Sequence, residues 1–205
     1  MKAALFDLDG VLIDTEPVYT RIWNDIEKHF PTGKENFAQI IKGSTLPKIL
    51  NTYFRPEDHA AIVAMLEEAE ETMEYPLFPD TIPFLQRLRT AGIPAAIVTS
   101  SNDRKMDRLF AMYPGFRDYF ASVVTDSRVR HSKPDPEGYL LGASDLSTDP
   151  ADCVVFEDSF NGLKAGRAAG CTVVGLSTTN PAGSLTDLAD IVVPSLGDKA
   201  LTVLF

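Results

Sequence analysis

The sequence predicts an α/β fold: a doubly wound parallel sheet, interrupted near its start by a block of helices. Three observations carry that reading. Short apolar, β-branched runs recur along the chain with helical patterns between them. The runs alternate only weakly, as expected for strands buried on both faces. And the strand–helix rhythm lapses between residues 15 and 78, then resumes.

Taken in order, KAALF (2–6) is the first strand. From about Thr15 to Phe78 no strand is convincing. Arg21–Phe30 and Pro56–Tyr75 have helical patterns, and the second is strongly acidic at EEAEETMEY, from Glu67 to Glu74 and Tyr75. That acidic run reads as a solvated face. Residues 31–55 hold one or two more helices. TIPFLQRLRT (81–90) places Ile82, Leu85 and Leu88 at helical spacing and stops at Ala91-Gly92. PAAIVTSS (94–101), ASVVTDS (121–127), CVVFED (153–158), TVVGL (172–176) and DIVVP (190–194) supply the remaining strands. Helical patterns at 102–112, 136–146 and 162–169 separate several of them, the last ending at Gly170. Alternation of this kind argues a doubly wound sheet. The organisation expected is an α/β core of residues 1–14 and 79–205 and a helical cap of residues 15–78. The joints fall near Asp14–Pro17 and Pro76–Pro83, where prolines cluster.

Composition bounds the function. A chain of 205 residues can bury a full core. Hydrophobic residues are 44% and charged residues 23%, as in soluble domains. The net charge is −10 with no basic block, which argues against nucleic acid as a partner. No apolar run approaches the roughly 18 residues of a membrane span. The first residues lack a secretory pattern, so a cytoplasmic location is expected. Cys153 and Cys171 lie in or beside apolar segments and read as reduced, structural thiols.

The chemistry starts at FDLDGVLID (6–14), where Asp7 and Asp9 stand one residue apart at the end of a buried strand. Like charges this close raise one another's pKa. A divalent cation is the first candidate for holding them together. In an open parallel sheet, ligands bind outside the carboxyl ends of the strands. Thr99-Ser100-Ser101-Asn102 follows the second strand, Glu157-Asp158 follows CVVF, and Ser132-Lys133-Pro134-Asp135-Pro136 precedes a helix. Acids at two strand ends offer hard oxygen ligands for Mg²⁺. A hydroxyl and backbone N–H groups at a helix start suit a phosphate, and a lysine adds a point charge on the same anion. Each element alone is an ordinary turn or N-cap. Their joint order and spacing are harder to obtain by chance.

DLDGVLIDT (7–15), VTSS (98–101), KPDP (133–136) and FEDSFNG (156–162) resemble the four motifs of the haloacid dehalogenase superfamily. The inserted helices resemble its subfamily with an α-helical cap, which includes the β-phosphoglucomutase-like phosphatases. The resemblance implies a Rossmann-like core and Mg²⁺ as cofactor. It implies Asp7 as the nucleophile that forms an aspartyl phosphate, and Asp9 as general acid and then base. It places the metal on the Asp7 carboxylate, the Asp9 carbonyl and the Asp158 side chain, with Glu157 orienting the metal's waters. Thr99 and the Ser100 N–H would bind phosphoryl oxygens, with Asn102 beside them, and Lys133 would neutralise charge in transfer. An acid at position 9 separates phosphatases and mutases from true dehalogenases and from ion-pumping ATPases.

Phosphatase and mutase share all four motifs, so the cap decides. In the β-phosphoglucomutases that this chain resembles, a His follows the first motif and a cap Arg follows a Lys-Gly pair. Here Tyr19 stands where that His would be, and Leu46 replaces the Arg after Lys42-Gly43. A mutase must hold two phosphates and exclude water, and losing the cap cation weakens that design. The expectation is hydrolysis of a small phosphate monoester, such as a sugar phosphate, by a monomer or weak dimer. The alternatives are a phosphomutase, an inorganic pyrophosphatase, a phosphonate hydrolase using Lys42, and a binding protein without catalysis. Glu16, Tyr19, Trp23, Lys42 and Ser44 are candidates to line the cleft, although Trp23 reads first as packing among the cap helices. His131 reads as a loop residue, and Arg128 and Arg130 as solvated.

Overall fold

Six strands form one parallel sheet in the computed structural model, which describes residues 2–204. They are β1 (Ala3–Phe6), β2 (Ala95–Val98), β3 (Ser122–Val124), β4 (Cys153–Glu157), β5 (Thr172–Leu176) and β6 (Ile191–Val193). Their order is β3-β2-β1-β4-β5-β6, all parallel. The first three strands run outward from β1 on one side. The chain then crosses to β4 on the other. The order reverses at β1, so the crevice that suits a ligand lies over the carboxyl ends of β1, β2 and β4. Residues 1 and 205 of the expected core lie outside the described residues.

Successive strand residues face opposite sides of the sheet, and each side has its own core. Ala4, Phe6, Ile97, Val154, Phe156 and Val174 face α5 (Thr81–Thr90) and α6 (Asp103–Met112) through Leu85, Leu88, Met106 and Leu109. Ala3, Leu5, Ala96, Val98, Val155 and Val173 face α7 (Glu137–Asp145) and α8 (Phe160–Ala168) through Tyr139, Ala143 and Leu163. Phe6 and Phe156 pair in register on adjacent strands, stack at 4.8 Å, and meet the edge of Phe84. Full burial of each such ring contributes about 1.5–3 kcal/mol. Two short helices lie on opposite sides: α9 (Ala182–Leu185) adds Leu185 to the second core, and α10 (Asp198–Leu201) adds Ala200 and Leu201 to the first. Cys153 and Cys171 are both free and buried, as expected.

Between β1 and α5 lie α1 (Glu16–His29), α2 (Phe37–Ile40), α3 (Leu46–Tyr53) and α4 (His59–Glu71). They bury a third core of their own around Trp23, Ile26, Phe37, Ile49, Ile62 and Leu66. The chain enters and leaves this segment side by side. Ile13 bridges Leu77, the Asp14 N–H donates to the Pro76 carbonyl at 2.8 Å, and the Phe78 N–H donates to the Leu12 carbonyl at 3.1 Å.

Three helices have bounds that differ by two or more residues from those read in the sequence. Helix α1 starts at Glu16, five residues before the expected Arg21, because Pro17 lies in the first turn, where its missing N–H costs nothing. The acidic helix expected over 56–75 opens as a 3₁₀ turn (Pro56–Asp58) and ends at Glu71. Met73 and Tyr75 then turn into the sheet core, and Pro76 holds the residue before it extended. Helix α8 starts at Phe160, not Gly162, because Ser159 caps it, its Oγ accepting from the Gly162 N–H at 3.0 Å.

Candidate active site

The carboxyl ends of β1 and β4 bring Asp7, Glu157 and Asp158 together, with a carboxylate oxygen of each within 4.8 Å of the others. All three are buried. Three buried carboxylates need compensation. Lys133, 6% exposed, supplies part of it. Its Nζ donates to Asp7 Oδ1 at 2.6 Å, to Glu157 Oε1 at 2.6 Å and to the Val98 carbonyl at 3.2 Å. Despite burial, which pulls an ammonium down, Asp7 and Glu157 hold the Lys133 pKa above its usual value.

The three acids have different surroundings. Glu157 is saturated. Its Oε1 also accepts from the Tyr139 hydroxyl at 2.9 Å. Its Oε2 accepts from the Asp158 N–H, the Ser159 N–H and the Ser159 hydroxyl, each at 3.0 Å. A Cβ at Gly162 would lie 1.6 Å from Glu157 Oε1, so only glycine fits there. The sequence motif assigns Glu157 to the metal's surroundings. Here its oxygens are bound by protein donors, and it locks the loop between β4 and α8. Asp158 is the opposite case. Its Oδ2 is buried and has no hydrogen-bond partner among the described residues. Burial, with Glu157, Glu16 and Asp7 nearby, holds its pKa well above the usual carboxylate range. Gly10, at φ +78°, makes the approach possible, since a Cβ there would lie 2.0 Å from Asp158 Oδ2. Burial also pushes Asp7 up to about 8 against the pull of Lys133, with Glu157 and Asp9 adding to the rise.

An unpartnered buried oxygen beside a second carboxylate is what a divalent cation requires. The donor set of Asp7 and Asp158 therefore fits one. The pH dependence follows with a definite sign. Between the usual carboxylate range and about 8, the folded, metal-free protein holds protons that the unfolded chain has lost. Its stability therefore falls as pH rises through that window. A cation displaces those protons. Adding Mg²⁺ is expected to raise the melting temperature more at pH 8 than at pH 6. Equal gains in thermal melts at the two pH values would contradict this.

Asp9 lies apart from that cluster. Its carboxylate accepts from the Thr15 hydroxyl, from the Ser101 hydroxyl at 3.0 Å, and from Lys105 Nζ, which reaches Oδ2 at 2.7 Å. Burial raises its pKa, but Lys105 and the two hydroxyls outweigh that and hold it below the usual value. Lys105 is only 2% exposed and also sits over the Tyr19 ring, 4.4 Å from its centroid. Lys105 and Tyr139 are site residues that lie outside the four motifs, and Ser101 lies within the second motif without a role assigned to it.

The remaining predicted residues divide. Thr99 and Ser100 border the cavity next to Asp7, and the Ser100 hydroxyl donates to the Gly43 carbonyl of the helical segment at 3.0 Å. Asn102 reaches the cavity rim, but its side-chain oxygen caps α6 by accepting from the Lys105 N–H at 2.9 Å. Lys42 and Glu16 line the cavity and form an ion pair with each other. Trp23 packs in the third core, as expected, and also borders the cavity. The acidic run is not wholly solvated. Glu70 lines the cavity and accepts from the Tyr19 hydroxyl at 2.7 Å. His131 is exposed on the surface and pairs with Glu137. Arg128 is not simply solvated, because it pairs with Asp145 at 2.8 Å.

A family model of haloacid dehalogenase-like hydrolases matches residues 1–170. The chain is a haloacid dehalogenase-like hydrolase. It is 35% identical to hexitol phosphatase A of Escherichia coli, over 98% of this chain and 94% of that protein. It is 31% identical to the fructose-1-phosphate phosphatase YqaB of the same organism, over 83% of this chain and 93% of that protein. A provisionally named β-phosphoglucomutase from Bacteroides vulgatus superposes with a TM-score of 0.86 and 29% identity, covering 100% of this chain and 88% of the other. This haloacid dehalogenase-like hydrolase is thus an enzyme, a phosphatase or a phosphomutase. The phosphatases and phosphoglucomutase-like members of this family generally use a divalent metal. None of its described helices is long and apolar enough to cross a membrane.

Proposed function

We propose that this hydrolase is a Mg²⁺-dependent phosphatase of small sugar or sugar-alcohol monophosphates, acting through an aspartyl phosphate on Asp7. The observation that carries the reading is the unpartnered, buried Asp158 Oδ2 beside Asp7 and Lys133. Asp7, Asp158 and the Asp9 carbonyl would hold the cation. Bound there, it supplies the positive charge that keeps Asp7 ionised and offsets the charge of the phosphoryl group.

The chain's own residues do the rest. A carboxylate oxygen of Asp7 attacks phosphorus, and the bond to the leaving oxygen breaks. Asp9 delivers a proton to that oxygen. Asp9 then takes a proton from water, whose oxygen attacks phosphorus and frees Asp7. In the present arrangement Lys105 favours the ionised form of Asp9, the form that accepts the water's proton. Lys133 steadies Asp7 and the transferred charge. Residues 15–78 serve as a cap whose loop at Lys42–Ser44 docks on α8. In support, Asn161 Nδ2 donates to the Lys42 carbonyl at 2.8 Å.

Hydrolysis is favoured over a mutase by the cavity wall. Leu46 borders it where the mutase resemblance would place an arginine, and the Lys42 charge is matched by Glu16. The test is phosphate release from a panel of sugar phosphates, nucleotides and pyrophosphate, with Mg²⁺ or with EDTA. Release from sugar monophosphates only with Mg²⁺ is expected. Conversion of β-glucose 1-phosphate without phosphate release, once a bisphosphate primer is added, would establish a mutase.

A further inference from the structure

The part of the cavity wall formed by α4 carries Glu70, an acid whose carboxylate no described cation pairs with. We propose that Glu70, together with Tyr19, determines specificity there. It accepts hydroxyls of an uncharged polyol and repels a second anionic group. The inference rests on the phosphatase reading and adds the chemistry of the leaving group.

The charges lining the cavity are uneven. Six acids, Asp7, Asp9, Glu16, Glu70, Asp126 and Asp158, face it with two lysines. Lys42 is paired with Glu16 and Lys105 with Asp9. Glu70 takes the Tyr19 hydroxyl on Oε1, while no described residue donates to its Oε2. The nearby cations of α6 are turned elsewhere. Arg104 pairs with Glu67 and Glu71 at 3.4 and 3.6 Å. Arg108 donates to the backbone carbonyls of Glu70 and Glu71. A hydroxyl meeting Glu70 gains a charge-assisted hydrogen bond. A carboxylate or second phosphate meets like charge with no cation to receive it, and such a juxtaposition is how a site rejects a competitor. Trp23, Ile41 and Leu66 add an apolar face for the carbon chain.

Sorbitol 6-phosphate and 6-phosphogluconate test this, since they share a carbon skeleton and differ only at the far end, a hydroxymethyl against a carboxylate. The wild-type protein with Mg²⁺ is expected to prefer sorbitol 6-phosphate in kcat/KM by about 100-fold or more. Glu70→Gln, isosteric and on a partly exposed helix position, is expected to narrow the ratio to below about tenfold, mainly by lowering KM for 6-phosphogluconate. Glu70→Lys is expected to narrow it further. A wild-type ratio within about threefold, or a ratio unchanged in Glu70→Gln, would overturn the inference while leaving the phosphatase reading standing. Phosphate release from neither compound, nor from any member of the wider panel, would overturn both.

Discussion

Asp7→Asn is expected to lower phosphate release by at least about 10⁴-fold without unfolding the protein. The amide cannot attack phosphorus, so the covalent route closes. The fold has little reason to suffer. The introduced carboxamide would keep an oxygen for Lys133, which now donates to Asp7 Oδ1 at 2.6 Å. The substitution would also remove a buried carboxyl whose pKa has been pushed up to about 8, a group that the folded state ionises with difficulty. Without metal, the variant is therefore expected to melt at or above the wild-type temperature at pH 8. It is also expected to lose most of the gain from Mg²⁺, because one of the two carboxylates of the cation site is gone. Retained phosphate release would remove Asp7 from the nucleophile's role. A collapsed melting temperature would make it a structural residue.

Lys133→Met has the larger expected effect on stability. Lys133 is the shared cation of Asp7 and Glu157, and all three are buried. Removing one partner of a buried ionic cluster costs about 3–5 kcal/mol, because the remaining charges stay uncompensated. Urea unfolding is expected to show a loss of that size, narrower at pH 6 than at pH 8 because protonation of a carboxyl relieves the repulsion. Lys133→Arg is not expected to rescue it. A planar guanidinium cannot match three acceptors converging on one point, whereas an ammonium can. A Lys133→Met protein as stable as wild type would show that the cluster is compensated in another way.

Much of this site is legible in the amino-acid sequence, and the reasons are physical. Buried parallel strands leave uninterrupted apolar runs, so all six strands can be read. Candidate site residues stand directly after those runs, at the carboxyl edge where the order reverses, so Asp7, Asp9, Thr99 and Asp158 can be read with them, while Lys133 is read from the Ser-Lys-Pro-Asp-Pro stretch before α7. What the sequence hides depends on tertiary contact. Lys105 sits in the charged stretch DRKMDR and looks solvated there. A signal exists, since Lys105 shares the inward stripe of α6 with Met106 and Leu109. A lysine on an apolar stripe calls for a buried carboxylate, and Asp9 provides it. Glu70 is hidden in the same way within an acidic run that does face solvent at Glu67, Glu68, Glu71 and Glu74. The start of α1 is obscured because a proline after Glu16 resembles a break when it lies in a first turn. Glu157 is placed beside the metal by the resemblance, and the protein donors around its carboxylate come from tertiary contacts that the sequence does not show.

The central claim is tested most directly by phosphate release from a sugar-alcohol monophosphate by metal-stripped protein as Mg²⁺ is added back. The account predicts no release in EDTA, a saturable rise with Mg²⁺, and no rise at any Mg²⁺ concentration in Asp7→Asn. Release that persists in EDTA, or that Mg²⁺ restores in Asp7→Asn, would contradict it.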